Sequence, residues 1–249
     1  IVLTQKQERR LKQLVNYVKK NSTAIAGLYR EIGKDFTLRD LPVTTKEMIM
    51  KDYENWITTS DFTLKDLEEF ATDESLAGEL YQGKYTVVET SGSTGYPFYI
   101  AYNRRESLKM NSAMSKNLKM KFLLHKPACY LFPFDKHILS ICSAKEGLRK
   151  YPLMKKYTAL KDSNIPMEEM VEFLNKFQPK IICTYVSTIE ALAKEQIKGN
   201  LRLKLKEVIT GGETLAPKTR EYIETVFGCK MRSMYASTEA SGIALDCDY

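Results

Sequence analysis

The sequence predicts an α/β fold: a helical N-terminal region followed by a mainly parallel sheet with flanking helices. Three observations carry this. Residues 1–84 show apolar spacing of helical period, punctuated by helix caps. Near residue 85 the pattern changes to short β-branched runs. Beyond residue 127 such runs alternate with helical stretches, and parallel neighbours need crossovers of that kind. The expected division is therefore 1–84, helical, and 85–249, α/β.

Leu11, Leu14, Val15 and Val18 recur at i, i+3, i+4 and i+7, with Thr4 and Gln7 spaced as a capping box. Ser22 can cap a second helix that stops at Gly33. Pro42 breaks the chain, and Thr44 with Glu47 has capping-box spacing for a third helix. "TLKDLEEFA" reads as a short helix capped by Thr63. "YTVVETS" and "PFYIAYN" read as paired strands around a Gly-rich loop, and residues 105–121 as a helix. Then follow strand "ACYLFPF", helix "MEEMVEFLNKF", strand "KIICTYV" and helix "TIEALAKEQI". Strand "LKEVITGG", helix "PKTREYIETVFG" and strand "CKMRSMYA" come next. The last segment, "SGIALDCDY", reads as a strand that stops, so the chain reads as incomplete.

With 43% hydrophobic and 28% charged residues, the 249-residue chain has the composition of a soluble globular protein. No apolar run reaches the roughly 20 residues needed to span a bilayer. The N-terminus lacks the segment order of a signal peptide, so no membrane partner and a cytoplasmic location are expected. The five cysteines have no CxxC spacing, and Cys129, Cys142 and Cys183 lie in apolar runs, which favours reduced core thiols. Net charge is +7, but the cations are interleaved with carboxylates and form no long block. Solvated helix faces with a pull toward anionic ligands are expected in place of nucleic-acid binding.

Three constellations could carry chemistry. "TSGSTGYP" joins Ser91, Gly92, Ser93, Thr94 and Gly95, whose amides and hydroxyls suit phosphate oxygens. No Lys follows Gly95, and the spacing is neither that of the common NTPase loop nor of the dinucleotide fingerprint. A structural turn is the competing reading. "VITGGETLAP" puts Gly211 and Gly212 at a strand end, leaving a slot where a flat ring could approach backbone. An ordinary strand-to-helix turn competes. "MYASTE" places Tyr235, Thr238 and Glu239 past another strand, with a ring to stack, a hydroxyl for phosphate and a carboxylate for Mg²⁺. A core Tyr and a helix-start Glu compete.

In this order the three pieces resemble the adenylate-forming superfamily of acyl-CoA ligases. "TSGSTGYP" is similar to its phosphate loop, "ITGGE" to its adenine-slot segment, and "YASTE" to its Tyr-Gly-x-Thr-Glu motif. "LPVTTKEMIM" and "RLKQLVNYV" resemble the phenylacetate–CoA ligase branch and its relatives associated with capsule biosynthesis. The resemblance implies that 85–249 is the nucleotide-binding α/β region of a large adenylating domain. It implies a two-step reaction. A carboxylate and Mg·ATP give an acyl-adenylate, and a thiol such as coenzyme A then displaces AMP. Ser91 to Gly95 would hold the β- and γ-phosphates. Gly211, Gly212 and Glu213 would line the adenine slot. Tyr235 would pack on adenine, Thr238 would contact the α-phosphate, and Glu239 would bind Mg²⁺.

This sequence departs from the family pattern at two positions. Phe98 stands where many members carry Lys, and Ala236 where they carry Gly. A positive φ at Ala236 would be strained. The ribose-binding Asp, the hinge and the small domain with the catalytic Lys would lie beyond residue 249, so this chain alone should bind nucleotide weakly and not complete the reaction.

"LFPFDKHILSI" falls where the family places part of its acyl pocket, so Phe132, Phe134 and His137 could line it; a buried aromatic strand end with a surface His is the other reading. His125 reads as structural. In some phenylacetate-branch members a zinc-ligating Cys shortly follows the Thr-Glu motif. Here that is Cys247, whose Zn²⁺ partners would lie beyond the chain. A small-molecule carboxylate and a nucleotide are the expected partners, and a homodimer is left open. Two other classes compete: a non-catalytic nucleotide- or acyl-binding relative, and a basic nucleic-acid-binding module.

Overall fold

The computed structural model of the chain describes residues 4–90, 97–117, 126–134 and 137–246. The chain divides into two compact units, residues 1–69 and 70–249.

In the first unit, α1 (Gln5–Asn21) opens on the expected capping box. Thr4 Oγ1 accepts from the Gln7 amide at 3.3 Å, and Gln7 Oε1 accepts from the Thr4 amide at 2.8 Å. Its apolar face is only partly used: Val15 is buried, but Leu14 is 58% exposed. Ser22 caps α2 (Thr23–Leu28), and its hydroxyl also donates to the Asn55 carbonyl at 2.9 Å. α2 ends at Leu28, short of Gly33. Gly27 weakens its last turn, and the chain continues in i→i+3 turns through Ile32. α3 (Lys46–Met50) is capped by Thr45, one residue later than Thr44, so Glu47 sits at the second helical position and pairs with Lys51 at 2.8 Å. α4 (Tyr53–Trp56) packs on α2. α5 (Leu64–Thr72), within which the division falls, is capped by Thr63 as expected. The returning carboxylate is Asp66, which accepts from the Thr63 amide at 2.7 Å.

The second unit begins with a three-stranded antiparallel sheet of β1 (Leu80–Tyr81), β2 (Tyr85–Glu89) and β3 (Tyr99–Asn103). β2 and β3 are the expected pair, in the register Val87↔Ala101. α6 is Arg104–Asn117. A six-stranded sheet follows, in spatial order β5-β4-β6-β7-β8-β9, and only β8–β9 is antiparallel. Its strands are β4 (Ala128–Phe132), β5 (Thr158–Asp162), β6 (Ile181–Thr184), β7 (Glu207–Gly211), β8 (Lys230–Ser237) and β9 (Ser241–Leu245). The helices α7 (Leu139–Lys150), α8 (Met167–Phe177), α9 (Val186–Lys198) and α10 (Pro217–Phe227) complete it.

Strand alternation builds two cores. Cys129, Leu131, Ile182, Val208 and Met231 face one side, packed with Met170 and Leu174 of α8, Ile189 and Leu192 of α9, and Ile223 of α10. The alternate residues Ala128, Phe132, Ile181, Cys183 and Ile209 face the other side, with Ile141 of α7. All four β6 residues are buried, as a parallel strand covered on both faces requires. Fully burying one such aliphatic side chain contributes about 1.5–3 kcal/mol. α7 and β5 are elements that the sequence reading did not mark.

The order β5-β4-β6 also fixes where a ligand can enter. The connection from β4 leads outward to β5, and that from β6 leads the opposite way to β7. The crevice at the carboxyl ends of β4 and β6 is therefore a topological switch point, the usual ligand position in open α/β sheets.

Candidate active site

A cavity of about 520 Å³ lies at that crevice. Its floor is the strand face carrying Tyr130, Phe132, Cys183 and Ile209. α7 contributes Leu139, Ser143 and Leu148, and Lys150 with Tyr151 stands where α7 ends. Polar backbone closes the other end, from Gly211, Gly212 and Glu213 after β7 and from Ala236, Ser237 and Thr238 in and after β8. Two of the three motif stretches thus meet in one cavity, although 22 residues or more separate them in sequence.

Each strand end is held by specific contacts. Gly212 has φ +81°, and a Cβ there would lie 2.8 Å from Cε1 of Tyr185. Both the backbone and the space demand glycine. The Glu213 carboxylate accepts from the Ser187 amide at 2.7 Å and from the Ser187 hydroxyl at 2.8 Å. It therefore caps the first turn of α9 from outside the helix. The Tyr185 ring meets Phe132 edge-on, with centroids 5.2 Å apart. Within the sheet, Thr184 Oγ1 donates to the Leu131 carbonyl at 2.8 Å, so its buried hydroxyl is satisfied. Burial pushes the Cys183 thiol up to about 12, which keeps it protonated at neutral pH.

The other predicted residues are distributed unevenly. Thr238 lines the cavity, and its carbonyl accepts from the Tyr102 hydroxyl. Burial raises the Tyr102 phenol well above its ordinary value, and the Glu239 and Glu106 carboxylates add to this. Glu239 is exposed in the turn between β8 and β9. Tyr235 is 66% exposed and lies outside the cavity lining. Ala236 is not among the described non-glycine residues with positive φ, which are Gln82, Gln178 and Ser241, so alanine fits unstrained.

Phe132 lines the cavity, whereas Phe134 packs beside it against the core and His137 lies elsewhere. His137 is fully buried, which corrects the surface placement considered from sequence. Its Nε2–H donates to the Asp73 carbonyl at 3.2 Å, and its ring packs edge-on against Phe70. Nε2 thus has a carbonyl partner and the ring an aromatic neighbour, whereas the buried Nδ1 has no hydrogen-bond partner among the described residues. The expectations on Ser91, Gly92, Ser93, Thr94, Gly95, His125 and Cys247 fall outside the described residues.

Sequence reasoning missed Tyr130, Cys183, Tyr185 and the α7 face. Tyr130 had a signal, because alternation in "ACYLF" puts it on the face of Phe132; Cys183 joins that face only through the β4–β6 register, Tyr130↔Cys183. Among the described residues no group of three or more His, Cys, Asp or Glu could hold a metal ion. The exposed Glu239 carboxylate is of the kind Mg²⁺ takes, since Mg²⁺ typically binds one or two protein carboxylates.

No protein-family model matches the chain. Over 246 residues it is 24% identical to Protein CapK of Staphylococcus aureus, covering 94% of this chain and 50% of that protein. It thus spans about half the length of the curated relative it matches. Crystal structures of a 2-hydroxyisobutyryl-CoA ligase superpose over 93% of the chain and 48% of the ligase. In the postadenylation state, with 2-HIB-AMP bound, the TM-score is 0.67 at 17% identity. In the thioesterification state, with 2-HIB-AMP and CoA bound, it is 0.61 at 19%. The chain has the fold of part of the large domain of an adenylate-forming acyl-CoA ligase. The resemblance read from its motifs is borne out, and the chain is a distant homologue of CapK.

Proposed function

We propose that the protein activates a carboxylate by forming an acyl-adenylate from ATP and then passes the acyl group to a thiol, coenzyme A or another. The supporting observation is the single cavity that joins the Gly211–Glu213 strip and Thr238 to an apolar floor. In this reading the backbone at Gly211 and Gly212 offers a flat surface to adenine, and the exposed Tyr235 covers it. Ser91, Gly92, Ser93, Thr94 and Gly95 hold the β- and γ-phosphates. The apolar compartment seats the acyl body and excludes water, and Phe132 is part of its wall. Thr238 orients the α-phosphate, where the new carboxylate–phosphorus bond forms as the bond to pyrophosphate breaks. Glu239 is the residue for Mg²⁺, which supplies charge neutralisation to the phosphates. The chain's own contribution is positioning and fixed dipoles. A cytoplasmic location belongs to the same reading and fits the free thiols at Cys129, Cys142, Cys183 and Cys229.

The test is ATP-dependent pyrophosphate release with a panel of carboxylates, run on the full-length protein. Glu239→Gln should lower the rate on the order of a hundredfold, the scale of several kcal/mol of metal charge stabilisation. An unchanged rate removes the metal assignment. ATP binding seen by calorimetry without turnover on any carboxylate would favour a non-catalytic relative.

A further inference from the structure

Resting on the carboxylate-activation reading, we propose that Tyr185 is the specificity-determining wall of the acyl compartment and limits it to carboxylates with a compact apolar body. Tyr185 follows β6 directly and stands at the switch point of the sheet. Its ring is clamped from two directions. On one side it meets Phe132 at the end of β4, edge-on at 5.2 Å and 84°. On the other it fills the space beside Gly212, where a Cβ would be only 2.8 Å from its Cε1. Two residues on, Ser187 is bound to Glu213 through both amide and hydroxyl. The ends of β6 and β7 are thereby held together beside the ring, and swinging it away would lose its packing on Phe132.

The cavity changes character at this point. Gly211, Gly212, Ser237 and Thr238 form its polar end, and Phe132, Ile138, Leu148 and Met154 form its apolar end. Tyr185 touches both, through Gly212 and Phe132 respectively. On the β6 side the flat ring that approaches the glycine strip is therefore the protein's own. A bound nucleotide and an acyl body would each keep to one side of it. Removing the ring would widen the cavity between its two ends and lengthen the acyl side.

The experiment titrates straight-chain acids from propionate to dodecanoate, and AMP separately, into the chain by calorimetry. It compares the parent with Tyr185→Phe, Tyr185→Leu and Tyr185→Ala. In the parent, affinity should rise about fourfold per methylene until the wall is reached, then fall. Tyr185→Phe should keep that cut-off. Tyr185→Leu and Tyr185→Ala should move it to longer acids by roughly two methylenes or more, the space a phenol ring vacates. Should Tyr185→Ala fail to fold, Tyr185→Leu decides. An unchanged cut-off in the shortened variants overturns the proposal, as does the absence of saturable acid binding in the parent. Loss of AMP binding with the cut-off unmoved also overturns it, by assigning the ring to the nucleotide. If the cut-off moves but the parent binds no AMP, the wall stands, and pyrophosphate release by the full-length protein decides the adenylate-forming reading.

Discussion

At the scale of single residues, Gly212 is the position where backbone and packing demand the same thing. Its φ of +81° lies in the left-handed region, which costs an L side chain about 1–3 kcal/mol. The Tyr185 ring also occupies the space a methyl would take. Gly212→Ala should lower the unfolding free energy by at least that amount, read as a fall in the urea midpoint at constant m. It should also displace Tyr185, so on the proposed reading the acid-length cut-off should shift along with the loss of stability. Gly211 beside it makes a milder demand. A Cβ there would lie 3.1 Å from the Met234 carbonyl, and its φ is unremarkable, so Gly211→Ala should cost less. Measuring both variants separates the backbone requirement from simple crowding, and equal losses would contradict the assignment of strain to Gly212.

At the scale of elements, Glu213 contributes to a helix it does not belong to. α9 starts after Tyr185, which supplies no side-chain cap, and the Glu213 carboxylate takes up the Ser187 amide in its place. Glu213→Ala should destabilise the fold by about 1 kcal/mol, the usual worth of a lost N-cap, and Glu213→Gln by less. Equal midpoints for Ala and parent in urea would show that the pair adds nothing. The same contact explains part of what the sequence concealed. Strands β4, β6, β7 and β8 and helices α8, α9 and α10 were legible because each carries its own period and its own breakers, such as Gly199 and Gly228. α7 and β5 were not legible. α7 has Ile138 at its cap position, which makes no side-chain bond, and a Gly at residue 147 within it. β5 reads "TALKD", an edge strand half-buried throughout, with no run of apolar residues to mark it. For the site, residue types at strand ends were readable, but Tyr185 was not. Its role depends on which neighbours the strand order puts beside it, and a local pattern contains no strand order.

At the scale of the whole molecule, charge and pH act together. Asp246 joins β8 to α10, accepting from the Ser233 amide at 2.8 Å and pairing with Arg220. Burial alone would raise its carboxyl, but the Ser233 and Arg220 hydrogen bonds and the Arg220 and Arg232 charges outweigh that and hold it below the usual range. Hydrogen bonds from Thr63 lower Asp66 in the same direction, and bonds from Ser75 lower Asp73. A carboxyl lowered in the folded state binds fewer protons there than when unfolded. Its stabilisation is therefore complete above the ordinary value of about 4 and is lost as pH falls through the lower, folded value. Protonation also removes negative charge from a chain already at +7, so self-repulsion grows over the same interval. The urea midpoint should thus be nearly flat from neutral pH to about 5 and fall steeply below about 4. Asp246→Asn should lower the neutral-pH midpoint by no more than about 1 kcal/mol equivalent, because the pair is partly solvated. The variant and the parent should converge in acid, where the parent has lost the same charge. Salt distinguishes the two causes, because repulsion is screened within about 10 Å at 0.1 M, whereas proton linkage at short hydrogen bonds persists. If added salt restored the whole acid loss, the carboxylate bonds would have no part in it.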